Sequence, residues 1–114
     1  MFNRTLQRFH DLQASLSPSD QPKIVLAGSA EAAAKDADII FTSLGDDQSV
    51  LDMYDKLLAG CSGVGKGKLF VETSTVSPET AKHISGRVQR LGGTYVAMPS
   101  ECLTVCKCVL DNCK

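Results

Sequence analysis

Tryptophan is missing from this 114-residue chain, and aromatic residues make up only 5% of it. With so few rings, the core has to be aliphatic. Long apolar runs are missing too. None approaches the roughly 20 residues of a membrane-spanning helix. No charge of one sign dominates: 12 basic and 13 acidic residues are interspersed for a net charge of -1. No basic stripe announces nucleic acid or an anionic membrane surface, so neither is expected as a partner. The opening "MFNRTLQRFHDL" has charges where a secretory signal needs its apolar centre. A soluble intracellular protein, cytoplasmic by default, is the expectation. What is present is ordinary globular composition, 43% apolar and 22% charged, and enough length for one small domain.

Cysteine is unevenly placed. Cys61 stands alone, whereas Cys102, Cys106, Cys108 and Cys113 crowd the end of the chain. An odd count without a secretion signal argues against a disulfide framework. Zinc sites usually come as two C-x2-4-C pairs with room between them. The tail "CLTVCKCVLDNC" lacks that spacing, so ordinary thiols are expected and no metal ligand is assigned.

Along the chain the apolar period alternates between about 3.6 and short continuous runs. Leu6, Phe9, Leu12 and Leu16 form a helical stripe over 4–16, which "LSPSDQP" breaks. "KIVLAG" (23–28) reads as a strand, and Ser29 can cap the Ala-rich helix "AEAAAKDA". "DIIFTSL" (38–44) has the continuous apolar character of a buried parallel strand. Asp46 or Asp47 can open the helix "DQSVLDMYDKLLA", with Val50, Leu51, Tyr54, Leu57 and Leu58 on its face. "KLFVETS" is another strand. Ser77 then caps a helix with Pro78 at its first position, and Ala81, Ile84, Val88 and Leu91 make its stripe before Gly92-Gly93. "TYVAM" (94–98) is one more strand. Strand and helix alternating with short links specify a parallel α/β domain.

Two apparent motifs fail on context. "GCSGVGKG" (60–67) nearly matches G-x-x-x-x-G-K-[ST], but Gly67 replaces the metal-binding hydroxyl. It also follows a helix and enters a strand, the reverse of a P-loop. It reads as a helix-to-strand connection. His10 and His83 lie in helices without partner motifs and read as surface residues.

Ligands of parallel sheets bind at the carboxyl ends of the strands. Those ends here are "NRT", "AGS", "TSLGDD", "ETSTVSP" and "MPS", all rich in small polar residues. Small residues permit close backbone approach, and helix N-termini favour anionic groups. Turn formers at strand ends account for the same composition. Arg4 beside Asn3, with no acid there, suits the 2'-phosphate of NADP. A solvated arginine at a helix start fits these residues equally well.

Taken together, "FNRT", "ADIIFTSLGDDQSV", "GKLFVETSTVSPET" and "GGTYVAMP" resemble the β-hydroxyacid dehydrogenase family, which includes 3-hydroxyisobutyrate and 6-phosphogluconate dehydrogenases. They occur in family order, with "STVSPET" the most specific. The resemblance implies a Rossmann-type domain that binds NADP rather than NAD. It assigns Asn3, Arg4 and Thr5 to the adenosine ribose and its 2'-phosphate. Leu44 and Gly45 match the loop over the cofactor, Ser49 a further cofactor-facing position, and Thr75 the hydroxyl near the nicotinamide. In the family, hydride passes between a 3-hydroxy acid and the dinucleotide.

The departures shape the expectation as much. The family's first strand and its G-x-G-x-x-G turn should precede "FNRT", and residues 100–114, "SECLTVCKCVLDNCK", match nothing in the family. The family's catalytic lysine belongs to a second, helical domain, and Lys66, Lys68 and Lys82 are not at its motif, so no catalytic residue is assigned. The expected organisation is therefore a partial dinucleotide-binding domain over 1–99 and an unrelated Cys-rich tail over 100–114. The sheet is an incomplete Rossmann-type parallel sheet with flanking helices, lacking the first strand and its Gly-rich turn. On this reading the chain is an internal piece of a longer enzyme, and a mitochondrial location stays open because the natural N-terminus lies upstream. Such a piece binds the dinucleotide weakly and is inactive alone. Strands 38–44, 68–73 and 94–98 form the parallel core; "DIIFTSL" keeps an exposed apolar edge unless "KIVLAG" slides in beside it. The alternative function is a non-catalytic module that pairs with itself or with an intact homologue through that edge.

Overall fold

Serine and aspartate fix where the helices begin. In a computed structural model, which describes residues 1–98, Ser29 Oγ accepts from the Ala32 N–H at 3.1 Å. Asp46 Oδ1 accepts from the Ser49 N–H at 2.7 Å, and Ser77 Oγ from the Thr80 N–H at 3.3 Å. Each satisfies a first-turn donor that the helix itself leaves unpaired. The elements are α1 (Leu6–Ser15), α2 (Ala30–Asp36), β1 (Ile39–Thr42), α3 (Asp47–Gly60), β2 (Leu69–Glu72), α4 (Pro78–Arg90) and β3 (Thr94–Ala97), with a single 3-10 turn at Gln21–Lys23. Pro78 occupies the start of α4, and Gly92 follows that helix with φ +81°, a conformation only glycine adopts freely.

The strands form one parallel sheet in the order β1-β2-β3. Register aligns Ile40, Phe70 and Tyr95 in one row and Phe41, Val71 and Val96 in the next. Successive rows face opposite sides. Crossovers between parallel strands are right-handed, so two links stepping the same way along a sheet leave their helices on one side. The burial follows this rule. Ile40 and Phe70 sit in one cluster with Val50, Tyr54, Leu57, Leu58, Ile84 and Val88 from α3 and α4. On the other side the edge strand is open, Phe41 being 70% exposed and Ile39 54%, while Val71 of the central strand is buried.

Helix α2 packs on α3 through alanines, Ala30 and Ala34 being buried. The backbones nearly touch: a Cβ placed on Gly60 would collide with the Glu31 carbonyl oxygen. Lys68 is buried and its ammonium donates to the carbonyls of Lys35, at 3.0 Å, and Ala37 at the end of α2. It serves as a charged C-cap of α2. Arg87 of α4 pairs with Asp55 of α3 at 2.6 Å on the surface.

The first 28 residues depart from expectation. "KIVLAG" is not a strand: it leaves the 3-10 turn as extended coil, with Val25 71% exposed. The Met1 amine donates to Val25 O at 2.9 Å and the Ala27 N–H to Met1 O at 2.8 Å. This is one rung of a parallel pair, too short to count as a sheet, and it does not join β1. Helix α1 is shorter than the 4–16 expected, and only Phe9 of its stripe is buried; Leu6 and Leu12 are exposed. The sheet end therefore has three strand termini, not five. His10 and His83 are exposed. Segment 60–67 links α3 to β2, as its order predicts. The four cysteines of the tail lie outside the described residues. Cys61 is buried, its Sγ 3.7 Å from Ala34 O, and burial raises the thiol pKa.

The one-sided core yields a contrast that urea denaturation can measure. Phe70→Ala should cost about 3–5 kcal/mol, as for other fully buried phenylalanines. Phe41→Thr, on the bare face, should stay within about 0.5 kcal/mol.

Candidate functional site

The carboxyl ends of β1 and β2 are tied together by hydrogen bonds among short polar side chains. Thr42 O accepts both the Thr73 N–H at 2.9 Å and the Thr73 Oγ1 hydrogen at 2.7 Å. The Leu44 N–H donates to Ser74 Oγ at 2.6 Å. Beneath them lies Glu72, a carboxyl side chain with no exposed surface. Its Oε1 accepts the Ser74 N–H at 2.7 Å and its Oε2 the Thr42 hydroxyl at 2.5 Å. Thr42 has one hydrogen to give, so the Tyr54 hydroxyl at 3.3 Å is the donor in their contact. Burial, reinforced by Glu72, raises the Tyr54 pKa. Burial, then Glu72, pushes Tyr95 up to about 12. Both phenols therefore stay protonated at neutral pH; Tyr54 donates to Thr42, whereas the buried Tyr95 hydroxyl has no partner among the described residues.

Beside this junction opens a polar cleft of about 450 Å³. Asn3, Arg4, Thr5 and Arg8 form one wall, and Ser43, Leu44 and Gly45 the other, with Phe2 and Met53. Asn3 Oδ1 accepts the Thr5 N–H at 2.8 Å, which sets the turn into α1. The lining has two arginines and no carboxylate. Of the residues assigned from sequence, Asn3, Arg4, Thr5, Leu44 and Gly45 meet here. Ser49 does not line the cleft: its N–H and hydroxyl both bond Asp46, at 2.7 and 3.1 Å. Thr75 is exposed on the loop after β2, away from the lining. Arg8, in the first turn of α1, was not singled out from the sequence; it joins Arg4, which lies just before that helix.

The helix N-termini differ from the expected anion seats. Asp46 and Asp47 fill the start of α3 with carboxylates of their own. Asp47 Oδ2 accepts the Ser77 N–H at 3.1 Å, the Ser77 hydroxyl at 2.7 Å and the Thr80 hydroxyl at 2.8 Å. It thereby clamps the start of α4 to that of α3. A neighbouring anion would have to displace these bonds, so the open positive groups of the site are Arg4 and Arg8.

A second cavity, about 210 Å³, runs between Met1–Phe2, the alanines of α2 and the edge of β1. Its walls are mostly apolar. Among the described residues no three His, Cys, Asp or Glu side chains gather as a metal site. No described helix is long and apolar enough to cross a membrane.

A parallel sheet with its polar cleft at the carboxyl ends of the strands, flanked by crossover helices, is a partial Rossmann-type dinucleotide-binding domain. Residues 1–100 match the family described as the NAD binding domain of 6-phosphogluconate dehydrogenase, and the chain belongs to that family. It is 31% identical over 99 residues to the NADH-dependent oxidoreductase ucdB of Aspergillus ustus, covering 87% of this chain and 32% of that protein. It is 30% identical over 66 residues to mitochondrial 3-hydroxyisobutyrate dehydrogenase of Drosophila melanogaster, covering 58% and 20%. Among solved structures, the imine reductase of Streptomyces aurantiacus superposes with a TM-score of 0.64 at 26% identity, covering 83% of this chain and 30% of that one. The 3-hydroxyisobutyrate dehydrogenase of Mycobacterium tuberculosis gives 0.66 at 21% identity, covering 86% and 30%; this second likeness speaks for the fold. The chain thus spans a third or less of the length of these relatives. The cofactor class is a nicotinamide dinucleotide.

The Asp47 clamp predicts an acid-sensitive component of stability. Hydrogen bonds from Ser77 and Thr80 hold the Asp47 carboxyl below its ordinary value of 3.8. A lowered folded-state value stabilises the fold above the unfolded value and is lost as pH falls through the folded one. Asp47→Asn should therefore lower the melting temperature at pH 7, and the gap to wild type should close below about pH 4. Thermal melts of both proteins across pH 2–7, on the order of half-unit steps, would follow this.

Proposed function

We propose that this chain is the dinucleotide-binding portion of a 3-hydroxyisobutyrate dehydrogenase-like oxidoreductase and that its cofactor is NADP(H). In the intact protein, hydride would pass between a 3-hydroxy acid and the nicotinamide. The observation that carries the reading is the cleft where Asn3, Arg4, Thr5 and Arg8 face Leu44 and Gly45. Two guanidiniums in the lining suit a ribose bearing a 2'-phosphate, with the Asp46 carboxylate near Arg4 but outside the lining, whereas an acid in the lining would suit the free hydroxyl of NAD. Ser49 and Thr75 would act only indirectly, through the cap of α3 and the loop after β2. The 114 residues hold no G-x-G-x-x-G turn, the source of main-chain donors for a pyrophosphate. The chain alone is therefore a weak binder without turnover.

A second reading, a module that pairs with itself or with an intact homologue, is favoured by the unpaired edge of β1 and the exposure of Ile39 and Phe41. An open edge of this kind templates further strands. In sedimentation with an intact homologue, co-migration that Phe41→Lys abolishes supports pairing; independent migration removes it.

Fluorescence titration with NADPH and NADH tests the first reading. NADPH should bind with a Kd of roughly 1 mM, and NADH about tenfold more weakly. Arg4→Ala should erase the difference between them, consistent with loss of a charge-assisted contact worth about 1.5–3 kcal/mol. Equal affinities that Arg4→Ala leaves unchanged would remove the NADP assignment.

A further inference from the structure

We propose that Glu72 is the positioning residue of the cleft: from inside the core it sets the loop wall, Leu44–Gly45, against which the dinucleotide would rest. This rests on the dinucleotide reading above and adds to it a residue that touches no ligand. Glu72 is at the end of the central strand and is fully buried. A carboxyl group is costly to bury unless its oxygens find donors, and both do. One takes the Thr42 hydroxyl, at the last residue of β1 before the Ser43–Gly45 loop. The other takes the Ser74 N–H. Ser74 in turn uses its Oγ to hold the Leu44 N–H at 2.6 Å. The buried carboxyl is therefore connected to the cleft wall by two routes, one through Thr42 and one through Ser74. Each ends within two residues of Leu44. No other side chain recorded among the described residues bridges both loops in this way.

Two substitutions of similar size separate this role from simple packing. Glu72→Gln keeps an oxygen for the Ser74 N–H. Its amide nitrogen can donate to Thr42 Oγ1, whose own hydrogen then turns to Val71 O, 3.5 Å away. Glu72→Met fills the space and offers neither bond.

Amide hydrogen exchange on the unliganded 114-residue chain is the first measurement. In Glu72→Met the Leu44 and Ser74 amides should exchange about tenfold faster or more, the loss of a buried hydrogen bond. Glu72→Gln should restore them to within about threefold of wild type. Amides of the helical core, at Tyr54, Ile84 and Val88, should keep their protection in both variants. NADPH affinity should follow the same order, about tenfold weaker for Met and near wild type for Gln. Wild-type exchange at Leu44 and Ser74 in Glu72→Met would overturn the proposal. So would an acceleration spread equally over Tyr54, Ile84 and Val88, which marks a general structural role. If wild type binds neither NADPH nor NADH, the dinucleotide reading fails, while the exchange measurement still decides whether Glu72 sets the loop.

Discussion

The fold depends on a geometric constraint. Consecutive parallel strands laid down in one direction with right-handed crossovers leave both connecting helices on the same side. The helix-covered face of the sheet follows from that, although Val71, in the row of Phe41 on the opposite face, is buried too. Phe70 and Ile40 disappear beneath α3 and α4, while Phe41 and Ile39 remain in water. The hydrophobic contribution is concentrated in one layer, and the polar junction at the strand ends sits where that layer meets solvent.

That junction explains how so few residues can shape a cleft. Short side chains, Thr42, Thr73, Ser74 and Ser77, bridge loops that are about thirty positions apart in sequence. Hydroxyls are suited to this because each both donates and accepts. Two carboxylates organise them from opposite sides, Glu72 from within and Asp47 from the surface. The cationic groups are left for the cleft itself.

Local signals were legible in the sequence and non-local ones were not. Ser29, Asp46, Ser77 and Pro78 marked helix starts correctly because a cap is decided by residues three positions away. The strands of 38–44, 68–73 and 94–98 were legible because apolar runs between such helices have nowhere else to go. "KIVLAG" has the same composition, but a strand also needs a partner edge, which composition cannot supply. The leucines of α1 show the same limit: their spacing gave a stripe, but burial required a surface to lie against. In the site, Asn3 to Thr5 and Leu44–Gly45 were legible through a family pattern. Arg8, in the first turn of α1, was not singled out. Glu72 read as one more acid at a strand end, because its burial is defined by Thr42 and by the turn that carries Ser74.

The meeting of α2 and α3 constrains how this chain can vary. At Gly60 two main chains approach so closely that even a methyl group would meet the carbonyl of Glu31. Ala30 and Ala34 line the same seam with almost no exposed surface. At Gly60 the obstacle is main chain, which side-chain reshuffling cannot move, whereas the alanines of α2 also border the apolar cavity beside β1. The outward face of α1, where Leu6 and Leu12 are exposed, leaves room that the Gly60 crossing does not.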